Sequence, residues 1–251
     1  MVHSFEGKTV LVTGGGSGIG RAAALAFAQR GAHVTVSGRR EDEGLHTVAL
    51  IEQAGGHGAY IQTDVTDPDD LAHLHRGIVD ARGRLDIAFN NAGFQEPRAL
   101  LADQDPSLYA KVFDTNVRAV YFGLQHQIAI MLKQGGGAIV VNTSVSGLRN
   151  PNPGLALYSA SKAATIALVR AAAMEYAEHG IRINAVAPGR VVTPMMLGSK
   201  IMDMQAVAAG LPLRRMGEPE EVAEAVVWLA SDAASFVVGH VLCTDGGFMA
   251  I

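Results

Sequence analysis

The chain has 251 residues, of which 49% are hydrophobic and 18% are charged, and its formal net charge is −4. This length and composition exclude disorder and suit a compact domain, and the weak acidity offers no basic surface for nucleic acid or an anionic membrane. A single cysteine, Cys243, excludes an internal disulfide and favours a reducing compartment.

The N-terminal residues 1–6 contain no basic segment followed by an apolar stretch, so we expect no signal peptide. No uncharged apolar run approaches the ~20 residues that span a membrane. The alanine-rich segment after Lys162 comes nearest, and Arg170 and Glu175 interrupt it. We therefore expect a soluble, cytoplasmic protein with one domain over residues 1–251, and with neither a membrane nor a nucleic acid as a partner.

A glycine-rich loop follows the first predicted strand, residues 8–12. It runs from Thr13 to Gly20 with the spacing T-G-x-x-x-G-x-G, and an amphipathic helical pattern covers residues 21–29. A strand, a glycine loop and a helix in succession direct free backbone N–H groups and a helix dipole at a phosphate. The spacing is not G-x-G-x-x-G, but the position of the loop predicts phosphate binding.

The second predicted strand, residues 33–37, leads into Gly38, Arg39 and Arg40. In a dinucleotide-binding unit an acidic residue at this place usually binds the ribose 2′-hydroxyl. Gly38 has no carboxylate, and the two guanidinium groups suit a 2′-phosphate. We expect NADP(H) to be favoured and NAD(H) to remain possible, because the arginines could instead begin a solvated helix. Ser17 supplies no second positive charge.

The later predicted strands cover residues 59–62, 85–89, 138–142, 181–186 and 238–244. Helical patterns separate the strands, and clear start signals stand at Asp67-Pro68 and Glu218. This alternation predicts an α/β fold with a doubly wound parallel sheet of seven strands and helices on both faces. Small and polar residues follow several strands, as a ligand cleft at the carboxyl edge requires.

Tyr158 and Lys162 are four residues apart, so they share one face of a helix. A free tyrosine, with a pKa of about 10, is a poor proton donor or acceptor near neutral pH. A nearby ammonium favours the phenolate and lowers the pKa towards the working range. Such a pair alone is more typical of a solvated helix face, but the upstream glycine loop favours a proton-transfer site.

Two predicted helices, residues 117–133 and 156–178, are apolar on nearly every side. A helix without a polar face is covered on both sides, and the sheet covers only one of them. We therefore expect a homo-oligomer, with a tetramer favoured.

The region of about residues 190–216 has no strand pattern and is rich in methionine. Its methionines are Met195, Met196, Met202, Met204 and Met216. Such a segment predicts a mobile, adaptable lid. With Phe94 and Leu155 also expected near the cleft, it favours a partly apolar substrate.

Taken together, these motifs resemble the short-chain dehydrogenase/reductase family, and the resemblance covers essentially the whole chain. Thr13-Gly14-x-x-x-Gly18-x-Gly20 resembles its cofactor loop, Asn90-Asn91-Ala92-Gly93 its NNAG motif, Tyr158-x-x-x-Lys162 its active-site motif, and Pro188-Gly189 with Thr193 its PG-x-x-x-T segment. The resemblance implies a single Rossmann domain, a nicotinamide cofactor and action on CH–OH groups.

The resemblance also implies roles for single residues. Tyr158 would be the general acid/base, Ser144 would bind the same substrate oxygen, and Lys162 would lower the tyrosine pKa and bind the nicotinamide ribose. Asn116 would hold a water of a proton relay. Implied cofactor contacts are Gly14, Ser17, Gly18, Ile19, Gly20, Arg39, Arg40, Asp64 (adenine), Val65, Asn90 (adenosine ribose), Ala92, Gly93, Pro188, Gly189, and Val191 with Thr193 (carboxamide).

The chain departs from the family pattern at the serine, because the usual position holds Val145. Ser144 and Ser146 flank it. The segment of residues 150–154 looks one residue longer than in the family pattern, which moves the expected serine one position back. Because Thr-Ser also follows the strand directly, Ser144 is favoured. Ser146 would then line the substrate pocket.

The nine histidines show no ligand spacing that predicts a metal site. His73 and His75 are two residues apart and face different sides of a helix. Arg190, directly after Pro188-Gly189, either reaches an acidic substrate or, as is more common, is solvated or faces the cofactor.

The expected reaction is reversible hydride transfer between a nicotinamide cofactor and a small secondary alcohol or ketone. A 3-oxoacyl carrier-protein reductase is an alternative, although the chain shows no basic surface for an acidic carrier. A catalytically idle NADP-binding sensor or scaffold is another. Such proteins typically lose part of the catalytic set, whereas Asn116, Ser144, Tyr158 and Lys162 are all present in this chain.

Overall fold

A computed structural model of the protein describes residues 4–149, 153–199 and 203–250. The strands in these ranges are β1 (Thr9–Thr13), β2 (His33–Gly38), β3 (His57–Gln62), β4 (Ile87–Asn90), β5 (Gly137–Asn142), β6 (Ile181–Pro188) and β7 (Val241–Thr244). The seven strands of the described residues form one parallel sheet in the order β3-β2-β1-β4-β5-β6-β7. The predicted doubly wound sheet is confirmed.

The helices cover both faces of the sheet. They are α1 (Gly18–Ala28), α2 (Glu41–Gln53), α3 (Pro68–Arg82), α4 (Leu108–Phe113), α5 (Ala119–Gln134), α6 (Ala156–Tyr176), α7 (Pro194–Leu197), α8 (Met204–Ala209) and α9 (Pro219–Ala230). A π-helical turn, Asp114–Arg118, joins α4 to α5, and a 3₁₀ turn, Val145–Gly147, follows β5.

Local sequence signals set several helix boundaries. Asp67 caps α3 by accepting from the backbone N–H groups of Asp69 and Asp70, and Pro68 occupies the first turn. Glu221 accepts from the backbone N–H of Glu218 at 2.8 Å where α9 begins. Both helix starts follow the sequence prediction.

The core lies in two layers, one on each face of the sheet. Val10 and Val12 of β1 pack in the same cluster as Phe27 of α1, whereas Leu11 packs with Ile78 of α3 on the opposite face. Successive side chains of a strand point to opposite faces, and β1 is apolar on both. A central strand of this kind needs helices on both sides.

The strand order reverses at β1, which lies between β2 and β4. Loops that leave neighbouring strands on either side of such a reversal diverge and open a crevice at the carboxyl ends. The glycine loop follows β1, and Asn91 to Gly93 follow β4. The fold therefore brings the sequence motifs to one edge of the sheet.

Most predicted boundaries differ by one or two residues, and two regions differ more. The last strand begins at Val241 rather than residue 238, because Gly239 takes a φ of +68°. The predicted lid carries α7 and α8, and among the described residues an isolated β-bridge pairs its Val191 with Gly217. Met202 of the predicted lid lies outside the described residues. So do residues 150–152, which belong to the segment that favoured Ser144.

Candidate active site

The glycine loop turns the chain tightly from β1 into α1. Gly14 and Gly18 have φ values of +63° and +51°, which glycine adopts without strain. A Cβ on Gly20 would lie 2.3 Å from the carbonyl oxygen of Gly14, so only glycine fits there. The side chain of Ser17, the N-cap residue of α1, makes no capping bond. The first N–H groups and the dipole of α1 are therefore available to a phosphate.

Asn91 ties the glycine loop to the neighbouring strand ends. Its Nδ2 donates to the carbonyl oxygens of Thr13 and Gly14, each at 3.1 Å. The Thr13 hydroxyl accepts from the N–H groups of Asn91 and Ala92 at 3.0 and 3.1 Å. Asn142, at the end of β5, donates from Nδ2 to Asn91 Oδ1 at 2.8 Å. Three strand ends are thus fixed relative to one another.

A cleft of about 330 Å³ runs along the carboxyl ends of the strands from the glycine loop to Tyr158. The predicted residues that line it are Gly14, Ser17, Gly18, Ile19, Arg39, Arg40, Asp64, Val65, Ala92, Gly93, Ser144, Ser146, Leu155, Tyr158, Lys162, Pro188, Gly189, Val191, Thr193 and Met195. Gly20, Asn90, Phe94 and Asn116 lie outside this lining. One cleft thus joins a phosphate-binding loop to a proton-transfer pair.

Gly38, Arg39 and Arg40 form one corner of the cleft. A Cβ on Gly38 would meet nothing within 4 Å, so the place of the usual acidic side chain is open space. Arg40 Nη2 donates to Ser17 Oγ at 3.2 Å, and Arg39 Nη1 lies 3.9 Å from Asp64 Oδ2. Two guanidinium groups beside an open position suit a phosphate.

Asp64 lines the cleft next to this corner. Its Oδ1 accepts from the N–H and the hydroxyl of Thr66 at 2.9 and 2.8 Å. Burial raises the pKa of Asp64, but the bonds from Thr66 and the charge of Arg39 bring that pKa below its ordinary value. Asp64 is therefore an ionised acceptor, as an adenine amino group requires.

Tyr158, Ser144 and Lys162 meet at the other end of the cleft. The Ser144 hydroxyl lies close enough to Tyr158 to lower the pKa of the phenol, and Ser144 Oγ accepts from the N–H of Ser146 at 3.1 Å. Lys162 Nζ lies 5.6 Å from the centre of the Tyr158 ring and donates to the carbonyl of Asn142 at 2.8 Å. Of the two candidate serines, Ser144 is the one whose side chain contacts the tyrosine.

The surroundings shift the pKa of both Tyr158 and Lys162. Burial raises the pKa of Tyr158; the Ser144 hydrogen bond lowers it, Glu96 raises it and Arg190 lowers it, with a net rise. Burial lowers the pKa of Lys162 to about 8. This differs from the expectation that Lys162 lowers the tyrosine pKa, since Ser144 and Arg190 are the groups that favour the phenolate.

Asn116 braces the site from the π-helical turn rather than lining the cleft. Its Oδ1 accepts from the N–H of Phe94 at 2.8 Å, and its Nδ2 donates to the Phe94 carbonyl at 2.8 Å and to Ser161 Oγ at 2.9 Å. Both ends of the amide are therefore engaged. A water of a proton relay would contact the main chain of Asn116, not its side chain.

Two further predicted contacts are placed away from the cleft. Asn90 is 6% exposed, and its side chain exchanges two hydrogen bonds of 2.8 Å with Gln127 of α5. Only its main chain is left to reach a ribose. The Phe94 ring lies 4.4 Å from Lys111 Nζ rather than in the cleft lining.

Glu96 is a site residue that no sequence motif indicated. Its side chain is 1% exposed, and each carboxylate oxygen accepts from the backbone N–H of Tyr158 at 3.1 Å. The contact joins residues 62 positions apart, so no local pattern could have predicted it.

Two of the histidines, His75 and His126, pack against each other. His75 is buried, its ring stacks on that of His126 at 5.0 Å, and burial lowers its pKa to about 4. Within the described ranges, no group of three or more His, Cys, Asp or Glu side chains is placed to hold a metal ion. None of the helices in those ranges has the length and apolarity needed to cross a bilayer.

Comparison with known proteins gives full-length matches. A family model described as enoyl-(acyl carrier protein) reductase matches residues 14–249. A short chain dehydrogenase/reductase of Aspergillus oryzae is 36% identical over 99% of this chain and 97% of its own. The cis-4-hydroxycyclohexanecarboxylate dehydrogenase of Sinomonas cyclohexanicum is 41% identical over 100% of both chains. A cyclohexanol dehydrogenase of Acinetobacter sp. is 36% identical over 99% and 97%.

Solved structures share the fold over the same length. Levodione reductase superposes with a TM-score of 0.95 at 34% identity, covering 98% of this chain and 99% of its own. A 7α-hydroxysteroid dehydrogenase complexed with NADH and 7-oxo glycochenodeoxycholic acid has a TM-score of 0.92 at 33% identity, covering 97% and 95%.

Proposed function

The chain belongs to the short-chain dehydrogenase/reductase family and is an NAD(P)-dependent oxidoreductase of alcohols and carbonyls, and we propose that Tyr158, Ser144 and Lys162 perform its chemistry. The observation that carries the proposal is that Ser144, Tyr158 and Lys162 line the same cleft as the glycine loop. One substrate oxygen can then contact both hydroxyl groups.

Each residue of the set has a distinct task. When bound, the nicotinamide cofactor supplies or accepts the hydride. Tyr158 donates a proton to the carbonyl oxygen in reduction and accepts it from the alcohol in oxidation. Ser144 donates to the same oxygen and stabilises the negative charge that develops on it. Lys162 brings a buried positive charge beside Tyr158, and its bond to Asn142 fixes its direction.

The cofactor corner supports NADP(H) as the preferred form. Gly38 presents no carboxylate to a 2′-phosphate, and Arg39 and Arg40 line the cleft beside it. The steroid dehydrogenase with the same fold holds NADH, so the fold alone does not decide the preference. We expect the side chains at this corner, rather than the glycine loop, to set the preference.

The substrate is proposed to be a small alicyclic alcohol or the corresponding ketone. Relatives that match the whole chain are named for cyclohexanol and for cis-4-hydroxycyclohexanecarboxylate. Leu155, Met195 and Met196 give the cleft an apolar wall that fits ring carbons. Ser146 lines the same part of the cleft as a polar contact.

The two alternatives have less support. The family description names an acyl-carrier-protein reductase, but the full-length relatives from Sinomonas cyclohexanicum and Acinetobacter sp. are named as dehydrogenases of cyclic alcohols, so a carrier-protein substrate is not better supported. An idle sensor would need no Ser144, Tyr158 and Lys162 together in its cleft.

A homo-oligomer, with a tetramer favoured, is proposed from the outer faces of α5 and α6. Tyr121 and Leu132 on α5 are 45% and 41% exposed, and Met174 on α6 is 81% exposed. Alanines of α6, such as Ala163 and Ala167, are exposed beside Met174. Light scattering should give a tetramer, and an Ala167→Arg variant should give smaller species, because a guanidinium would disrupt a close helix–helix contact.

The test of function is nicotinamide turnover by the purified protein. With NADPH it should reduce cyclohexanone, and with NADP⁺ it should oxidise cyclohexanol. A Tyr158→Phe variant should lose about 10²–10⁴-fold in kcat while binding NADPH as the wild type does. Near-full activity in this variant would remove Tyr158 from its role, and absence of turnover with any ketone or alcohol would refute the enzyme.

A further inference from the structure

Arg190 places a half-buried guanidinium in the cleft. It follows Pro188-Gly189 at the end of β6 and lines the cleft beside Tyr158. Its carbonyl accepts from the N–H of Gly217 at 2.8 Å, which fixes its backbone. Across the described residues, its side chain makes no hydrogen bond or ion pair.

Two acids beside this part of the cleft, Asp245 and Glu96, are hydrogen-bonded to backbone N–H groups. Asp245 packs against Gly189, and its two oxygens accept from the N–H groups of Gly247 and Met249, each at 2.9 Å. Both oxygens of Glu96 accept from the N–H of Tyr158. Among the described residues, neither acid forms an ion pair with Arg190.

The charges around Arg190 leave it short of an anion. Burial is the largest cause that lowers the pKa of Arg190, and the positive charge of Arg98 lowers this pKa further. Tyr158 acts in the opposite direction and raises it. Arg98 itself donates to the carbonyl of Pro153 at 3.1 Å. A partly buried cation beside another cation is unfavourable unless an anion enters with it.

We propose that Arg190, with Arg98 at longer range, binds a carboxylate of the substrate, so that this chain acts on hydroxy acids and keto acids. The planar fork of an arginine matches a carboxylate with two parallel hydrogen bonds. The proximity of Arg190 to Tyr158 would place this carboxylate on the substrate end of the cleft, away from the corner at Arg39 and Arg40. The proposal rests on the proposed function and adds the acid group to its substrate.

A phosphate of the cofactor is the other anion that could meet Arg190, and binding measurements separate the two. Calorimetry would measure the binding of cyclohexanecarboxylate and of cyclohexanecarboxamide to the protein saturated with NADP⁺, and of NADP⁺ alone. The wild type should bind the carboxylate at least about tenfold more tightly than the amide, because the amide lacks the charge and one acceptor.

Three variants test whether Arg190 causes the preference for the carboxylate over the amide. Arg190→Gln should abolish the preference for the carboxylate, and Arg190→Lys should retain only part of it, because a lysine keeps the charge without the fork. Neither change should alter NADP⁺ affinity by more than about threefold. Arg76→Gln, on the exposed side of α3, is the matched control and should behave as the wild type.

Turnover gives the second readout. With NADPH, 4-oxocyclohexanecarboxylate should be reduced with a kcat/KM at least about tenfold above that of its carboxamide, and Arg190→Gln should remove the difference mainly through KM. Cyclohexanone is the reference substrate: because Arg190 also lowers the pKa of Tyr158, any effect through the tyrosine should change the turnover of all the ketones alike, whereas loss of the carboxylate contact should act on the keto acid alone.

The outcomes distinguish this proposal from the function on which it rests. Equal binding of acid and amide by the wild type, or a loss of NADP⁺ affinity in Arg190→Gln that matches its loss of carboxylate affinity, would overturn the carboxylate site. If no ketone is reduced, the proposed function fails, yet carboxylate binding that depends on Arg190 would still support the site.

Discussion

The Glu96 carboxylate and the backbone N–H of Tyr158 are joined by hydrogen bonds of 3.1 Å to both oxygens. The N–H belongs to the first turn of α6, where helical N–H groups have no partner within the helix. Glu96 therefore caps α6 from a distant segment and puts a negative charge at the positive end of its dipole. The acid that fixes the helix also acts on the pKa of the tyrosine.

Replacement of Glu96 by glutamine should change both stability and the pH profile. Glu96→Gln loses the charged cap, and we expect a free energy of unfolding lower by about 1–2 kcal/mol. Because Glu96 helps to raise the pKa of Tyr158, its removal should lower that pKa. The rise of kcat/KM with pH in alcohol oxidation should then begin at lower pH.

Asp67→Asn is the matched control, because Asp67 caps α3 in the same manner outside the cleft lining. It should reduce stability and leave the pH profile in place. If Glu96→Gln lowers stability without moving the profile, Glu96 is a structural cap alone.

The two serines should differ in their effect on catalysis. Ser144→Ala removes the hydroxyl that lies beside Tyr158 and that would donate to the substrate oxygen, and we expect kcat to fall by about 10²-fold or more. Ser146→Ala keeps the backbone N–H that donates to position 144, so kcat should change by no more than about threefold. Steady-state kinetics with NADPH and cyclohexanone measures both. The reverse order would make Ser146 the catalytic serine.

A single substitution at the cofactor corner should shift the preference of the protein from NADP⁺ towards NAD⁺. Gly38→Asp places a carboxylate in open space beside Arg39 and Arg40, where it would repel a 2′-phosphate and accept from a ribose hydroxyl. NADP⁺ affinity should fall at least about tenfold, which is about 1.4 kcal/mol, and NAD⁺ affinity should rise. Parallel titrations at one ionic strength measure both, with Gly38→Ala as the control for the added Cβ. Tighter binding of NAD⁺ than NADP⁺ by the wild type would contradict the assignment of the arginines.

The buried ammonium of Lys162 should lower the free energy of unfolding of the cofactor-free protein near neutral pH. Burial lowers its pKa from 10.5 to about 8, so between these values the unfolded chain holds more protons and stability rises with pH. Lys162→Met should therefore be more stable than the wild type near neutral pH. That advantage should shrink by about 2 kcal/mol between pH about 7 and about 9.5.

Urea unfolding of the protein without cofactor, at both pH values, measures this difference. Lys133→Met, an exposed lysine of α5, should show no such dependence on pH. If the difference in free energy of unfolding between Lys162→Met and the wild type is the same at both pH values, burial does not lower the pKa of Lys162 and the prediction is wrong.

The sequence predicted the sheet and the cleft because both depend on local signals. Apolar periodicity and glycine punctuation identify strands and helices, and parallel strands bring their carboxyl ends to one edge. Gly14, Gly18 and Arg40 could therefore be placed in the cleft from their positions after β1 and β2.

What the sequence could not predict depends on contacts between distant segments. Asn90 and Asn91 are neighbours of the same type, yet one faces α5 and the other faces the glycine loop. Glu96 carries no motif, and its role appears only when α6 lies beside it. The pKa of Lys162 follows from enclosure by the fold and not from its spacing to Tyr158.

The reciprocal amide pair of Asn90 and Gln127 joins β4 to α5 across the core, and the two residues are 37 positions apart in the chain. A change to an apolar residue at either position alone would leave a buried donor and acceptor without partners, at a cost of about 1–3 kcal/mol. A simultaneous change at both would leave none. The two amides therefore act as one energetic unit: the double substitution should cost less than the sum of the two single substitutions, and the first asparagine of the NNAG motif is tied to a partner on another helix.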